Sequence, residues 1–240
     1  SSFDRFCVDK NDLVIEVAAN DGYLLQFVKE KKVPCIGIEP TLSTASEAEK
    51  KGIEIIKEFF DIELAKSIKI KRGTAKLLFA NNVLAHVPDI KNFVSGFYEL
   101  MDNNSVAIFE FAHVLELVKQ VQFDTIYHEH FSYLSLLAVE NIFKECGLEV
   151  FDVEIIETHG GSLRVYAQLL NSSNCNKTEN LFNLRKIEQK NKLNDISGYK
   201  DLDLGCKRIK LDTLKFLISK KEAGKLVVAY GAAAKGNTFL

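Results

Sequence analysis

Short apolar runs rich in β-branched residues recur along the first half of the chain, and segments with helical apolar spacing lie between them. The runs end at Ala19, Ile38, Ala80 and Phe111. A run of this length is typical of a strand that is buried on both faces of a parallel sheet. Strands that alternate with helices predict right-handed crossover connections. The sequence therefore predicts an α/β fold with a mostly parallel sheet and helices on both faces.

The second half of the chain differs in character from the first, which indicates a second domain. Residues 122–133 are dense in aromatic residues and histidine, and residues 181–220 favour helix. A further apolar run, residues 225–230, predicts a strand that leads into a glycine-containing turn near the last residue. We expect residues 1–121 to form one domain and residues 122–240 to form part of a second α/β domain, which we expect to be truncated.

Charge and composition argue against several classes of protein. The 240 residues carry 31 basic and 33 acidic side chains, a net charge of −2, so no basic surface for nucleic acid is indicated. The apolar stretches fall short of the roughly 18 residues that suggest a membrane span, and no signal peptide is evident. The five cysteines form no C-x-x-C pair, which predicts reduced thiols. We expect a cytoplasmic protein that binds neither nucleic acid nor membrane.

The turn after the first strand combines small residues with a carboxylate. It runs from Glu16 to Gly22, and Glu39 ends the next strand. Turns of this kind lie at the carboxyl edge of a parallel sheet, where ligands bind, and an acidic residue after the second strand accepts hydrogen bonds from ribose hydroxyls. Pyrophosphate requires glycines where Ala18 and Asn20 stand. The turn therefore favours an adenosine without phosphates, such as S-adenosylmethionine, over a nicotinamide dinucleotide.

The acidic character of this turn supports the same ligand. S-adenosylmethionine carries a sulfonium and an ammonium group, so a nearby Glu16 or Asp21 is electrostatically favourable. The alternative is an ordinary strand-to-helix turn, in which Asp21 caps the helix and Glu16 is a surface residue.

Two amides and a histidine follow the third long strand of the first half. Asn81 and Asn82 are candidates to bind the amino-acid end of the cofactor, and His86 is a candidate to reach the reacting centre, because the loop lies at the carboxyl end of a strand. The alternative for His86 is a loop histidine that is packed by Val83 and Val87.

Two histidines, a carboxylate and two tyrosines lie between Tyr127 and Tyr133. A carboxylate such as Glu129 can orient a histidine and support its action as a general base. A tyrosine hydroxyl can bind a carbonyl or enolate oxygen. The alternatives are structural packing and a zinc site of His128 and His130, for which no third ligand is evident nearby. We therefore predict acid–base chemistry and no metal.

Two glycine-containing turns in the second half are candidate substrate contacts. His159 and Arg164 flank the pair Gly160-Gly161, and an arginine here can bind a phosphate. A tight hairpin with a salt-bridged Arg164 is the alternative. Lys235 lies in a turn that resembles a phosphate-binding loop without the full Walker spacing, and a plain strand-to-helix connection is the alternative there.

These segments resemble the S-adenosylmethionine-dependent sugar C-methyltransferases, typified by NDP-hexose C-3 methyltransferases. The resemblance runs along nearly the whole chain, and residues 127–133 and 159–164 are its most specific parts. It implies a Rossmann-like, cofactor-binding methyltransferase domain in residues 1–121 and a domain that helps to bind a nucleotide-linked sugar in residues 122–240. Family members usually carry an amino-terminal zinc module with cysteine pairs, which the sequence lacks, and a glycine where Ala18 stands.

The resemblance also implies a reaction, the methylation of a 4-keto sugar nucleotide through an enolate. His130 is expected to remove the proton beside the ketone, while Glu129 orients this base. Tyr127 and His86 are expected to stabilise the enolate oxygen or to position the sugar. The residues expected to bind substrate are His159, Arg164 and Lys235. An O- or N-methyltransferase and a non-catalytic cofactor-binding fragment remain alternatives, and the sequence indicates no oligomeric state.

Overall fold

A computed structural model describes residues 2–231 and 234–239, with the backbone but not the side chain of His159. The strands in this part of the chain are β1 (Val14–Val17), β2 (Cys35–Ile38), β3 (Glu54–Ile56), β4 (Leu77–Asn81), β5 (Val106–Ala112), β6 (Leu148–Ile156) and β7 (Ser162–Leu169). They form one sheet in the order β3-β2-β1-β4-β5-β7-β6. The first five strands are parallel, and β7 runs antiparallel to both β5 and β6. The predicted α/β fold with a mostly parallel sheet is confirmed.

The α-helices of the described residues connect these strands or follow the sheet. They are α1 (Ser2–Arg5), α2 (Leu25–Glu30), α3 (Leu42–Lys50), α4 (Ile62–Arg72), α5 (Ile90–Leu100), α6 (Val114–Gln120), α7 (Leu136–Glu145), α8 (Glu179–Lys190), α9 (Lys200–Glu222) and α10 (Ala234–Phe239). Side-chain oxygens of the preceding residue accept a first-turn N–H in α4, α5, α7 and α8, as expected of Asp, Ser and Thr at a helix start. No helix among the described residues is long and apolar enough to cross a bilayer.

The sheet does not end at the predicted domain boundary after residue 121. Both β6 and β7 come later in the chain, and β7 pairs with β5 from Ala107 to Ala112. A hairpin of this kind extends the parallel sheet because β5 would otherwise expose its edge. The division into domains stays a prediction, and the structure shows that residues on both sides of residue 121 build one sheet.

Two local predictions are wrong. Residues 225–230 form no strand, and Leu226, Val228 and Tyr230 are almost fully exposed. A strand requires a neighbour for its backbone hydrogen bonds, and the seven-stranded sheet does not offer one to this segment. Asp21 does not cap α2, which begins at Leu25, and its carboxylate accepts a hydrogen bond from Lys51 instead.

Phenylalanines of α5 fill the core beneath the carboxyl half of the sheet. The apolar residues of this helix recur at helical spacing and face the sheet, as the sequence predicts. Phe97 is fully buried, and its ring centroid lies 4.6 Å from that of Phe109 on β5 and 5.2 Å from that of Phe60. This packing fixes α5 against β5, which pairs with β4, and candidate site residues follow the ends of both strands.

We expect Phe97→Ala to lower the free energy of unfolding by about 3–5 kcal/mol, because the change leaves a cavity among three aromatic rings. Phe59→Ala is the control, since Phe59 is 82% exposed and its removal is expected to cost no more than about 0.5 kcal/mol. Urea denaturation measures both. Equal losses in the two variants would contradict this assignment of the core.

Candidate active site

The turn between β1 and α2 adopts left-handed backbone conformations at three residues. The φ angles are +59° at Ala18, +53° at Asn20 and +76° at Gly22. A left-handed conformation at alanine raises the free energy of the folded state by roughly 1–2 kcal/mol, so glycine would be more favourable than alanine at position 18. At Gly22 a side chain is excluded, because a Cβ would lie 2.4 Å from the Ile53 side chain. The chain therefore bends sharply at the carboxyl edge of the sheet.

Glu39 is fixed at the end of β2 by the backbone of two turns. Its Oε2 atom accepts a hydrogen bond from the Asn20 N–H at 3.1 Å, and its Oε1 atom accepts one from the Thr41 N–H at 2.8 Å. Each carboxylate oxygen has a second lone pair available for a ligand. The residue is thus held in place as an acceptor next to the turn, the arrangement that ribose hydroxyls require.

Glu16 is fully buried in β1, which contradicts the alternative of a surface glutamate. Neither carboxylate oxygen accepts a hydrogen bond from the described residues. Burial, together with the nearby Asp21 carboxylate, raises the pKa of Glu16 to about 8. A buried carboxyl without a partner is costly, and a cation placed beside it would offset that cost. The buried Glu16 carboxyl therefore fits an adenosine ligand that carries a positive charge.

Tyr23 is a part of this site that the sequence analysis missed. A hydrogen bond joins its hydroxyl and the Asn81 side chain at the end of β4. Burial raises the pKa of Tyr23, and the nearby Glu16 carboxylate raises it further. Tyr23 follows Gly22 directly, and this position next to the turn could have indicated a role in the site. The apolar spacing of the residues after it predicted a helix instead. The tyrosine thus lies near the buried carboxyl of β1 and is hydrogen-bonded to the predicted amide of Asn81.

A cavity of about 230 Å³ lies at the ends of β4 and β5, and most of the predicted reaction residues line it. Its walls come from the loop after β4, the end of β5, the segment after α6, and α10. The residues that line it are Asn82, Ala85, His86, Phe111, Ala112, Thr125, Tyr127, His130 and Lys235. Asn82, a predicted cofactor residue, therefore lies in the same cavity as the predicted base.

Backbone carbonyls fix the tautomers of both histidines in this cavity. His130 Nδ1 lies 2.7 Å from the Thr125 carbonyl oxygen, and His86 Nδ1 lies 2.8 Å from the Glu129 carbonyl oxygen. A carbonyl oxygen only accepts hydrogen bonds, so Nδ1 carries the proton in each neutral ring. Each Nε2 atom then has a free lone pair. The two ring centroids are 4.7 Å apart.

His130 is poised to accept a proton at neutral pH. Burial lowers its pKa below the usual range, and the nearby His86 and Lys235 lower it further. The Thr125 carbonyl and the Glu129 carboxylate act in the opposite direction without reversing the shift. The Tyr127 ring lies 4.3 Å from the His130 ring, between centroids. An unprotonated imidazole beside a phenol is an arrangement suited to proton transfer.

The structure gives Glu129 and His128 different positions from those expected. The group that orients His130 is the Thr125 carbonyl, whereas Glu129 is exposed and contributes its backbone carbonyl to His86. His128 is exposed too, because this segment is a turn and not a strand, so the two histidines do not share a face. Within the described part of the chain, no group of three or more His, Cys, Asp or Glu side chains is arranged to hold a metal.

The predicted substrate residues do not all meet in the cavity. Arg164 donates to Glu110 at 2.9 Å and to Glu154 at 3.1 Å, so it is the salt-bridged residue of the alternative interpretation. Its neighbours on β5 and β6 face it directly in the sheet, which explains the pairing. The His159 side chain lies outside the described residues. Lys235 is exposed at the cavity wall.

Solved structures with this architecture define the class of protein. A S-adenosylmethionine-dependent methyltransferase from Clostridium acetobutylicum ATCC 824 superposes with a TM-score of 0.56 at 13% identity, over 71% of this chain and 88% of that one. Magnesium protoporphyrin IX methyltransferase from Synechocystis PCC 6803, solved with bound SAM, gives 0.50 at 14% identity, over 66% and 70%. At such identities the likeness shows the fold, which is the Rossmann-like methyltransferase fold.

The sequence comparisons then give the family. Residues 4–153 match the family described as a methyltransferase domain, and residues 157–240 match the C-methyltransferase C-terminal domain. C-methyltransferase NovU from Streptomyces niveus is 29% identical over 237 residues, 99% of this chain but 56% of that protein, so the chain spans about half the length of this relative. The chain therefore belongs to the methyltransferase-domain family, whose model covers residues 4–153, and its last third matches the C-methyltransferase C-terminal domain, in line with the resemblance.

The raised pKa of Glu16 predicts how stability depends on pH. The unfolded chain loses this proton near pH 4.5, whereas the folded protein keeps it up to about pH 8. Between these values the folded state binds more protons at Glu16, so the contribution of Glu16 to stability is most favourable below pH 4.5 and falls as pH rises through the window. We expect the contribution of Glu16 to reach about 1.4 kcal/mol per pH unit.

Urea denaturation at several pH values tests this dependence with Glu16→Gln, which removes the titrating group. The variant is expected to lose this part of the slope between pH 5 and about 8. Glu47→Gln, at an exposed position on α3, is the matched control and should keep the slope of the wild type. A slope unchanged by Glu16→Gln would show that Glu16 ionises normally.

Proposed function

We propose that this chain binds S-adenosylmethionine at the turn after β1 and takes part in methylating a carbon atom beside the ketone of a nucleotide-linked 4-keto sugar. One observation carries the proposal. An unprotonated histidine with a free Nε2 lies next to a phenol in a cavity that Asn82, a predicted cofactor residue, also lines. The matches to C-methyltransferases support the same type of reaction.

Different residues of this site would contact different parts of the cofactor. Glu39 would accept hydrogen bonds from the two ribose hydroxyls, and the small residues Ala18 and Asn20 would allow close approach to the backbone. Glu16 would lie near the positive charges of the amino-acid end, while Asn81 and Asn82 bind polar groups at that end. When bound, the cofactor supplies an electrophilic methyl group.

His130 would act as the general base on substrate. Its Nδ1–H is held by the Thr125 carbonyl, which directs the free Nε2 lone pair to the proton on the carbon beside the ketone. The ketone is essential because it acidifies this C–H bond; the proton of an unactivated sugar carbon is far too weakly acidic for an imidazole. The proton moves to Nε2, and the electron pair moves to the ketone oxygen as an enolate.

The cavity also offers groups for the enolate oxygen. The Tyr127 hydroxyl can donate a hydrogen bond to it, and the Lys235 ammonium can stabilise its negative charge. In its neutral tautomer, His86 presents Nε2 as an acceptor, so it suits a sugar hydroxyl and not the enolate oxygen. Tyr127 is therefore the candidate to stabilise the enolate oxygen, and His86 is the candidate to position the sugar.

We expect His130→Gln in the full-length protein to reduce the rate of methyl transfer by about 10²–10⁴-fold, because the glutamine amide accepts no proton. His128→Gln is the matched control in the same segment, since His128 is exposed and does not line the cavity. The measurement is product formation by mass spectrometry with keto-sugar nucleotides.

The same experiment in deuterium oxide separates carbon methylation from O- or N-methylation. With the wild type, deuterium is expected to enter the carbon beside the ketone in the presence of S-adenosylhomocysteine, and His130→Gln should abolish the exchange. Methylation without exchange, on oxygen or nitrogen, would instead support the alternative class of methyltransferase. A normal rate in His130→Gln would remove this residue from the role of base.

A further inference from the structure

A histidine and a glutamate outside the cavity form a buried hydrogen-bonded pair that no step of the reaction uses. His113 follows β5, and Glu188 lies on α8. Their side chains are 2% and 4% exposed, and His113 Nε2 lies 2.8 Å from Glu188 Oε1. A buried carboxylate that stays charged is costly unless it is paired, so the partners of this one indicate what it holds in place.

The remaining bonds of Glu188 go to the start of α7. Its Oε1 atom accepts from the Leu136 N–H at 2.6 Å, and its Oε2 atom accepts from the Leu137 N–H at 3.0 Å. Ser135 satisfies the next N–H of this helix. Helix starts leave their first N–H groups unpaired, and a carboxylate is favourable there. Glu188 thus anchors the beginning of α7 to α8 and to His113.

This anchor lies at one end of the active-site segment, which we define as residues 122–135. Leu134 forms a β-bridge with His113, and its carbonyl accepts the Val114 N–H at 3.0 Å. The segment returns to His113 only four residues after His130. Tyr127 and His130 therefore lie on a loop whose carboxyl end is held by the backbone of His113 and, directly after it, by the Glu188 carboxylate at the start of α7.

The other end of the segment is connected to the same histidine through a glycine turn. The His113 N–H donates to the Gly161 carbonyl at 3.1 Å. The adjacent Gly160 carbonyl accepts from the Gln122 side chain at 2.7 Å. Both ends of the active-site segment are thus tied to one residue that touches no reacting group.

We propose that His113 and Glu188 are positioning residues that hold the active-site segment so that His130 keeps its hydrogen bond to Thr125. The inference rests on the proposed function only for its effect on rate. Its effect on the position of His130 can be measured without substrate. Misplacement of a catalytic group by about 1 Å costs on the order of 10²-fold in rate.

The test follows the titration of the His130 imidazole by NMR, with His130→Gln to assign its resonance. In the wild type the pKa is expected below the usual range, because the ring is partly buried and faces His86 and Lys235, opposed by the Glu129 carboxylate. His113→Leu is expected to raise it towards the ordinary histidine value as the segment loosens. His113→Gln, which keeps a donor of similar reach, should restore the wild-type titration.

The matched control breaks an ion pair between α7 and α8, the two helices that the Glu188 carboxylate also connects. Arg185 on α8 binds Glu140 on α7 with Nε–Oε distances of 3.1 Å, away from His113. Arg185→Leu should lower the melting temperature and leave the His130 titration unchanged. If His113→Leu fails to fold, Glu188→Gln decides in its place, because it removes one acceptor and keeps the side-chain volume.

In the full-length protein, His113→Leu is expected to lower kcat by about 10–100-fold with little change in the KM for S-adenosylmethionine, because the cofactor turn is not tied to the pair. Unchanged His130 titration in folded His113→Leu, or an equal shift in Arg185→Leu, would overturn the positioning role. Absence of turnover in the wild type would instead count against the proposed function. The NMR titration would still test the positioning role, because it requires no substrate.

Discussion

The Glu16 carboxyl is buried in the first strand, and the described residues donate no hydrogen bond to either of its oxygen atoms. Such a group destabilises the fold unless it stays protonated or meets a cation. The sheet tolerates it at the edge where β1 and β4 end, next to a turn with left-handed residues and a fixed Glu39. The position of this carboxyl thus gives the edge its preference for a positively charged ligand.

The residues proposed to react with substrate lie at the same edge of the sheet but come from a later part of the chain. The segment after α6 folds over the ends of β4 and β5, and backbone carbonyls at Thr125 and Glu129 set the tautomers of His130 and His86. In the proposed mechanism the Thr125 carbonyl, and not a carboxylate, orients His130. Because α10 reaches the same cavity with Lys235, residues from both matched families contribute to one site.

The sequence predicts elements well where burial repeats with a clear period. Residues 90–100 have apolar side chains at helical spacing and residues 162–169 form an apolar run after a glycine turn, and the structure has a helix at Ile90–Leu100 and a strand at Ser162–Leu169. Residues 225–230 have the composition of a strand, but pairing depends on a neighbour that composition does not reveal. Likewise, the role of Thr125 depends on a backbone carbonyl, and Arg164 is paired through sheet register, which no single motif encodes.

We propose that the sulfur of the cofactor lies at the cavity, next to the unprotonated His130. A crystal structure of the chain with S-adenosylhomocysteine tests it most directly. We expect the ribose hydroxyls on Glu39, the amino-acid end near Glu16, and the sulfur facing the cavity that His130 lines. An empty crevice between Glu16 and Glu39 at saturating ligand, or a His130 ring turned away from the sulfur into the protein interior, would contradict the account.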